Sequence, residues 1–341
     1  MAVIKDVARE AGVSATTVSR YLNGGKYVKA EIQERIRAAI ERLDYKPSHI
    51  ARSLVSQRSH MIGVIVPDIR SGYHGTLLSH IEGTANLNGY SILMCNIAED
   101  AHKELAYIDF LLNMPVDGVV ILHEELTDET AALLGGTRTP IVFAGVRPTR
   151  GQYISVAIDD CRAAYDGTAS LLDAGHRSVA FLGGHLKDHS SGQQRLKGFR
   201  EAHRDRGVPL QEALILHGGY SYAVGYGLAQ QLLSLQGPRP TAVFCMSDEA
   251  AVGCLNALTD RGVSVPGEIS VLGFDGLSVT EQVRPRLSTL CQPLGEIGSM
   301  SVELLIDAIE KRQRFPNIFE LVLPHRLEIR ESVREWSAVP L

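Results

Sequence analysis

Apolar residues recur every three or four positions near the amino terminus. The stripe over 4–11 predicts a short helix that ends at Gly12. Ser14 is a favourable N-cap for a second helix over 15–22, and another apolar stripe predicts a third helix over 29–43. Two short helices joined by a tight turn, with a third to close the core, predict a helix-turn-helix head.

From residue 61 onward, β-rich runs alternate with helical stretches. The β-rich runs are 61–66, 90–96, 118–123, 140–144, 155–158, 178–182, 241–246 and 269–274. The helical stretches include 101–113, 161–174, 193–205, 222–235 and 248–261. This alternation predicts an α/β fold of parallel sheets with helices on both faces.

The charge balance also changes near residue 60, where the alternation of strands and helices begins. Residues 1–60 hold 11 Lys+Arg and 6 Asp+Glu, a balance of +5, whereas the remainder holds 23 and 33, a balance of -10, which together give the net -5. The outward face of the second predicted helix carries hydroxyls and Arg20, where a merely solvated helix would carry Glu and Lys. A basic head of this kind indicates a polyanionic partner such as nucleic acid.

Several classes of protein are excluded by composition and motif. Apolar runs are strand-length, so no membrane span is expected, and the amino terminus has no secretory pattern, so we expect a cytosolic protein. The five cysteines are scattered in contexts typical of buried reduced thiols. His185 and His189 lack the intervening Glu of a metalloprotease helix, and no nucleophile elbow, phosphate loop or dinucleotide fingerprint occurs. We therefore expect no metal, no cofactor and no enzyme.

Seven short segments are similar to one known family. They are Asp6-Val7-Ala8, Ala11-Gly12-Val13-Ser14, Thr17-Val18-Ser19-Arg20, Tyr45-Lys46-Pro47, Ala51-Arg52-Ser53-Leu54, Gly63-Val64-Ile65-Val66-Pro67-Asp68 and Gly273-Phe274-Asp275. With them, nearly the whole chain resembles the lactose-repressor/galactose-repressor family. The resemblance implies a three-helix head over 1–46, a hinge helix and linker over 47–60, and a two-lobed core similar to periplasmic binding proteins over 61–341.

The resemblance also implies how the core is divided. One lobe, expected nearer DNA, would span about 61–159 and 291–319. The other would span about 160–290 and 320–341, with crossover strands near 287–292 and 319–323. A dimer is expected because the sequence ends at Leu341 without the apolar heptad tail of a tetrameric relative.

For the head, the resemblance implies contacts with a palindromic operator. Residues expected to read base edges are Ala15, Thr16 and Arg20. Residues expected to contact backbone or neighbouring bases are Lys5, Ser14, Thr17, Ser19, Asn23 and Tyr27. In the hinge, Ala51 belongs to the matching segment, and Leu54 would wedge into the minor groove. One departure is Val3, where the family often has a threonine that caps the first helix.

Candidate effector-binding residues follow the predicted strands, because ligands of parallel sheets lie at the carboxyl ends of strands. They are Ser247, Asp248 and Asp275, with Tyr73 after the first strand as the equivalent candidate from the other lobe, and the resemblance adds Arg195 and Tyr220. Carboxylate, guanidinium and aromatic groups together suit a polyhydroxylated ligand. Asp248 also opens a helix, so a capping role stays open for it. Gly145, where several relatives have aspartate, and the segment 71–74 depart from the sugar-binding pattern.

These features predict a sequence-specific transcriptional regulator, a repressor of carbohydrate genes switched by a small sugar-like effector. The segments 283–288 and 323–326 are also similar to the catabolite-control branch of the family. In that branch a phosphorylated carrier protein acts as co-repressor. A phosphocarrier partner is therefore the alternative mode of control.

Overall fold

The protein is described by a computed structural model covering residues 2–22, 28–45, 58–98, 100–123, 126–150, 153–185, 188–237, 239–311 and 320–336. The chain forms two compact units, Met1–His60 and Met61–Leu341. No helix in these ranges is long and apolar enough to cross a membrane.

The first unit contains the three helices predicted for the head: α1 (Ile4–Ala11), α2 (Ala15–Leu22) and α3 (Ala30–Arg42). Gly12 ends α1 in the left-handed region at φ 65°, a conformation that glycine adopts without a Cβ penalty. The fully buried side chains of Val7, Val18 and Ile36 come from the three different helices. Their packing stabilises helices that are too short to persist alone in water.

Caps fix where the helices of the head begin. The backbone N–H of Thr17 donates to Ser14 Oγ at 3.1 Å, which confirms Ser14 as the N-cap of α2. Val3 has no side-chain oxygen with which to cap α1, as its sequence implied. Instead, its own N–H donates to the Asp6 carboxylate at 3.0 Å, so half of a capping box is retained.

The second unit alternates strands and helices. In chain order, it contains β1 (Met61–Val66), α4 (Gly72–Leu87), β2 (Ser91–Asn96), α5 (Ala101–Asn113), β3 (Gly118–Ile121), α6 (Asp128–Gly136), β4 (Ile141–Ala144), β5 (Ile154–Ile158), α7 (Asp160–Asp173), β6 (Val179–Leu182), α8 (Gly192–Asp205), β7 (Ile215–Leu216), α9 (Tyr222–Ser234), β8 (Ala242–Cys245), α10 (Asp248–Asp260), β9 (Ser270–Asp275), α11 (Val279–Gln282), β10 (Ser288–Cys291), α12 (Leu294–Ile309), β11 (Glu320–Leu323) and β12 (Arg326–Glu328). The alternation confirms the predicted α/β class.

The strands form two six-stranded sheets. The first has the order β11-β5-β4-β3-β1-β2 and is parallel throughout, and with its helices it forms lobe one. The second has the order β12-β10-β9-β8-β6-β7, is parallel except at β12, and with its helices forms lobe two. The central strands are buried on both faces, as expected for sheets covered by helices.

One predicted boundary is wrong. The sequence predicts that residues from about 320 onward belong to lobe two, but Glu320–Leu323 pairs in parallel with Ile154–Ile158 in lobe one. The chain changes lobe only after Leu323, because Arg326–Glu328 pairs antiparallel with Ser288–Cys291 in lobe two. The strand at Glu320–Leu323 is predicted from the sequence, but its partner strand is not.

Candidate functional site

A cavity of about 600 Å³ lies between the two lobes. Its wall includes Pro67 and Gly145 just after strands of lobe one, and His185 and Ser247 just after strands of lobe two. The carboxyl ends of strands in both sheets therefore meet at one cleft, as the rule for parallel sheets predicts. Its size is that of a small-molecule site.

The sequence-predicted residues Tyr73, Arg195, Tyr220, Ser247 and Asp275 all line this cavity. Ser247 has a structural task as well, because its hydroxyl caps α10 by accepting from the Ala250 N–H at 3.0 Å. It also donates to the Tyr220 carbonyl at 2.5 Å. Ser247 thus ties the start of α10 to the segment that carries Tyr220.

Arg195, from α8, is the cationic anchor of lobe two. Its Nε donates to Asp160 at 2.8 Å, its Nη1 donates to the Met246 carbonyl at 2.6 Å, and its guanidinium stacks on the Phe274 ring at 3.7 Å. Burial alone would lower the pKa of Arg195, but the carboxylates of Asp160 and Asp275 raise it above its ordinary value. The guanidinium is thus charged and held in one orientation.

Tyr220 and Asp188 form a second polar pair in the wall. The Tyr220 hydroxyl donates to the Asp188 carboxylate, which also accepts from the backbone N–H and hydroxyl of Ser191 at 3.0 Å. Burial, then the Asp188 charge, raises the pKa of Tyr220 well above its usual value. The ring is therefore a neutral, fixed surface against which the apolar face of a ligand can pack.

Asp275 ends β9 in a strained conformation at φ 120°, a region rarely adopted by residues with a side chain. Gln292 Nε2 donates to its carboxylate at 2.9 Å and fixes its orientation. Burial raises the pKa of Asp275 well above its usual value, although Arg195 acts in the opposite direction. A carboxyl group that lines a cleft and is carried by a strained backbone is typical of a functional position.

Asp248, also predicted as an effector contact, does not lie among the residues that line the cavity. It is fully buried and accepts from the backbone N–H groups of Gly276 and Leu277 at 2.7 Å and from the Thr289 hydroxyl at 2.5 Å. The capping role that the sequence left open for Asp248 is filled by Ser247 instead, because the Asp248 carboxylate accepts no hydrogen bond from the start of its own helix among the described contacts. Asp248 holds in place the turn that follows Asp275.

In lobe one, the half-buried Tyr73 lies at the start of α4, and its hydroxyl donates to the Gly145 carbonyl at 3.3 Å. The adjacent His74 packs edge-on against it, with 5.3 Å between ring centroids. Burial lowers the pKa of His74 to about 4, so its imidazole is neutral near pH 7. This side of the cleft therefore presents uncharged rings.

Several other polar wall residues were not predicted from sequence: His74, Glu104, His123, Asp188, Ser191 and Glu249. Two of them carried a usable signal. His123 follows β3, and Asp188 lies in the loop after β6, so the strand-end rule applies to both. Glu104 and Glu249 lie within helices, where sequence gives no indication that the side chain faces a cleft.

The head presents the predicted DNA-reading residues on α2 and around it. Thr16 and Arg20 are exposed, Ala15 and Ser19 are half-buried, and Lys5 is exposed on α1. The Ser14 and Thr17 hydroxyls are 2.8 Å apart, so both also serve the helix start. The predicted contacts Asn23, Tyr27, Ala51 and Leu54 lie outside the described residues.

A three-helix head with an exposed polar recognition helix, followed by a two-lobed core around a small-molecule cavity, defines a ligand-responsive DNA-binding protein. The comparisons with known proteins agree. Residues 3–48 match the family described as bacterial regulatory proteins, lacI family, and residues 168–333 match the periplasmic binding protein-like domain.

Among curated proteins, the chain is 35% identical over 331 residues to catabolite control protein A of Priestia megaterium, covering 97% of this chain and 99% of that protein. Among solved structures, it is similar to the lac repressor dimer bound to operator and the anti-inducer ONPF. The identity is 25% and the TM-score is 0.86, and the match covers 98% of this chain and 99% of that chain. It is also similar to the complex of the transcriptional regulator CelR with cellobiose, with 26% identity and a TM-score of 0.74. That match covers 98% of this chain and 100% of that chain.

The chain belongs to the lacI family of bacterial regulatory proteins, and it is a DNA-binding transcriptional regulator.

Proposed function

We propose that the protein is a homodimeric repressor of carbohydrate genes whose affinity for a palindromic operator is switched by an uncharged, polyhydroxylated effector, a sugar or sugar derivative. The supporting observation is the convergence of Arg195, Tyr220 and Asp275 on one cavity between the lobes. Carboxylates accept hydrogen bonds from sugar hydroxyls, and a ring covers the apolar face of the sugar. A regulator of this kind, not an enzyme, acts in the cytosol, where the chromosome lies.

The charge of the cavity favours a neutral ligand over a sugar phosphate. The described wall residues include the carboxylate side chains of Glu104, Asp188, Glu249 and Asp275, while Arg195 is their one guanidinium or ammonium group. Two donor positions of Arg195 are already used by protein acceptors. A phosphate would therefore meet several acceptors and few donors, which is electrostatically unfavourable.

Two of the similar structures support a sugar-like effector. One is the regulator CelR in complex with cellobiose, and the other is a LacI family transcriptional regulator from Enterococcus faecium with bound ribose. Both are proteins with the same two-lobed architecture. Their bound molecules motivate the choice of neutral sugars as the first probes for this chain.

Calorimetric titration tests the proposal with glucose, ribose and cellobiose beside glucose 6-phosphate. A neutral sugar is expected to bind the full-length protein, and Asp275→Ala is expected to lose that binding while operator binding is retained. Exposed Glu303, on α12, supplies the control Glu303→Ala, which should bind as the native protein does. Preferred binding of the phosphate ester would contradict the neutral-ligand proposal.

Coupling between effector and operator is proposed to pass through the hinge segment 48–54. Because coupling free energies are reciprocal, a sugar that weakens operator binding must itself bind the operator complex more weakly, typically by about 1 to 3 kcal/mol. Leu54→Ala is expected to weaken operator binding while leaving sugar affinity of the free protein unchanged. If hinge replacement leaves operator affinity intact, this route is wrong.

The second candidate is control by a phosphorylated carrier protein acting as co-repressor. The observation that favours it is the 35% identity to catabolite control protein A along almost the whole chain. The test adds phosphorylated and unphosphorylated carrier protein to operator titrations. Tightening by the phosphorylated form, with no response to any sugar, would establish this mode instead.

A further inference from the structure

A hydrogen bond joins the two lobes at the edge of the cavity. The backbone N–H of Gly72, the first residue of α4 in lobe one, donates to Glu249 Oε1 of lobe two at 2.7 Å. The first N–H groups of any helix have no partner within the helix, and a side-chain oxygen usually supplies one. Here the oxygen comes from a residue 177 positions away in the other lobe.

The local sequence of α4 does not provide that cap. Ser71, which precedes the helix in an extended conformation, makes no side-chain capping hydrogen bond. In lobe two, by contrast, the start of α10 is capped locally by the side chain of Ser247. The carboxylate of Glu249, in the first turn of α10, is therefore free of a capping task in its own helix.

The close approach of the lobes at this point is permitted by glycine. A Cβ at position 72 would lie 3.2 Å from Glu249 Oε1 and 3.3 Å from the Leu277 side chain, both tighter than ordinary van der Waals contact. Leu277 is itself fixed, because its N–H donates to the buried Asp248. The two neighbouring acidic residues therefore have different roles. Asp248 accepts hydrogen bonds within lobe two, whereas Glu249 accepts one from lobe one.

We propose that Glu249 is a positioning residue that caps α4 across the cleft and thereby sets the equilibrium between closed and open lobes. Opening the cleft leaves the start of α4 uncapped, so the hydrogen bond favours the closed form even without ligand. An effector that needs the closed cleft binds more tightly for the same reason, and this last consequence rests on the proposed function.

The experiment is hydrogen–deuterium exchange of the full-length, ligand-free protein. In Glu249→Ala, exchange over the first turn of α4 is expected to accelerate by roughly twofold to thirtyfold, the range that follows from loss of a helix cap. Glu249→Gln keeps an acceptor oxygen, so its exchange rate over the first turn of α4 should lie between those of the native protein and Glu249→Ala.

Glu129→Ala is the matched control. Glu129 is the second residue of α6, which starts with the same Asp-Glu pair and is capped by Thr127 as α10 is by Ser247. Its removal should leave α4 exchange unchanged. If Glu249→Ala and Glu129→Ala both exchange as the native protein does, the cap proposal is wrong.

Effector titration separates this proposal from the proposed function. Faster α4 exchange in Glu249→Ala, with no sugar bound by any variant, supports the cap and overturns the sugar effector. Faster exchange together with a matching loss of affinity for the sugar that binds native protein supports both.

Discussion

The hydroxyl group of Tyr73 donates a hydrogen bond to the Gly145 carbonyl at 3.3 Å, and it occupies the space that a side chain at position 145 would need. Gly145 also lies in the left-handed region at φ 75°. The two departures from the sugar-binding pattern, at 71–74 and at 145, are thus one arrangement.

Gly145→Ala is the first prediction. Its Cβ would overlap the Tyr73 hydroxyl and displace this ring, which lines the cavity, so effector affinity should fall as well as stability. Gly262→Ala separates strain from overlap, because Gly262 has φ 69° but an added Cβ there meets nothing within 4 Å. Each substitution should lower the free energy of unfolding by roughly 1 to 2 kcal/mol through its φ angle. Urea denaturation and calorimetry should show the extra loss of both stability and affinity only in Gly145→Ala.

The limits of sequence reasoning can be seen at this pair. The bounds of α1 and α2 follow from local periodicity and caps, and they agree with the structure. The cleft at the strand ends follows from the rule for parallel sheets. Nothing in the sequence, however, places Tyr73 against a residue 72 positions away.

Asp248 and Asp275 illustrate the same limit for a candidate site. Each lies at or just after the end of a β-rich run, so the sequence treats them as equivalent. The structure separates them because Thr289, 41 positions from Asp248, donates to its carboxylate and helps turn it away from the cavity. Side-chain direction depends on such long-range partners, as does the pairing of Glu320–Leu323 with lobe one.

The second prediction concerns the buried ion pair of Arg195 and Asp160. Arg195→Met should destabilise the protein by about 3 to 5 kcal/mol, because it leaves the Asp160 charge buried without its partner. Burial already raises the pKa of Asp160 even with Arg195 present. In the double variant Asp160→Asn/Arg195→Met the uncompensated charge is absent, so part of the stability should return.

Urea denaturation of the two single variants, the double variant and the native protein forms a double-mutant cycle. If the two substitutions are additive, the pair does not stabilise the cleft as described. Effector affinity should be lost in both variants that lack Arg195, whatever their stability.

The third prediction is a pH dependence of stability that originates at Asp248. Burial raises the pKa of Asp248 to about 7, against the opposing effect of the Thr289 and backbone hydrogen bonds. Between about pH 4 and pH 7 the folded protein therefore binds more protons than the unfolded chain at this site. The contribution of Asp248 to the free energy of unfolding should fall as pH rises through that window and level off above it.

Asp248→Asn tests this origin. The amide oxygen can still accept from Gly276 and Leu277, and the amide nitrogen can donate to the Thr289 hydroxyl, so the contacts survive without titration. Urea midpoints measured from pH 4.5 to 8, a range chosen to bracket the transition, should show a smaller decline in the variant. Thr289→Val should show a larger decline than the native protein, because losing the Thr289 hydrogen bond raises the pKa of Asp248 further. An unchanged slope in both variants would assign the pH dependence to other groups.

The last prediction concerns the exposed face of α2. Arg20 is exposed there, where the family reads base edges, so Arg20→Ala should relax discrimination at one base pair by roughly 1 to 3 kcal/mol. Arg37 is the matched control, because it is an exposed arginine on α3 that pairs with Glu34. Anisotropy titrations with palindromic and scrambled duplexes at several salt concentrations distinguish the two variants. Arg37→Ala should keep native discrimination, whereas Arg20→Ala should bind the two duplexes with more similar affinity. If Arg20→Ala instead weakens both duplexes equally and only lowers the salt dependence, Arg20 contacts phosphate and the base-reading assignment is wrong.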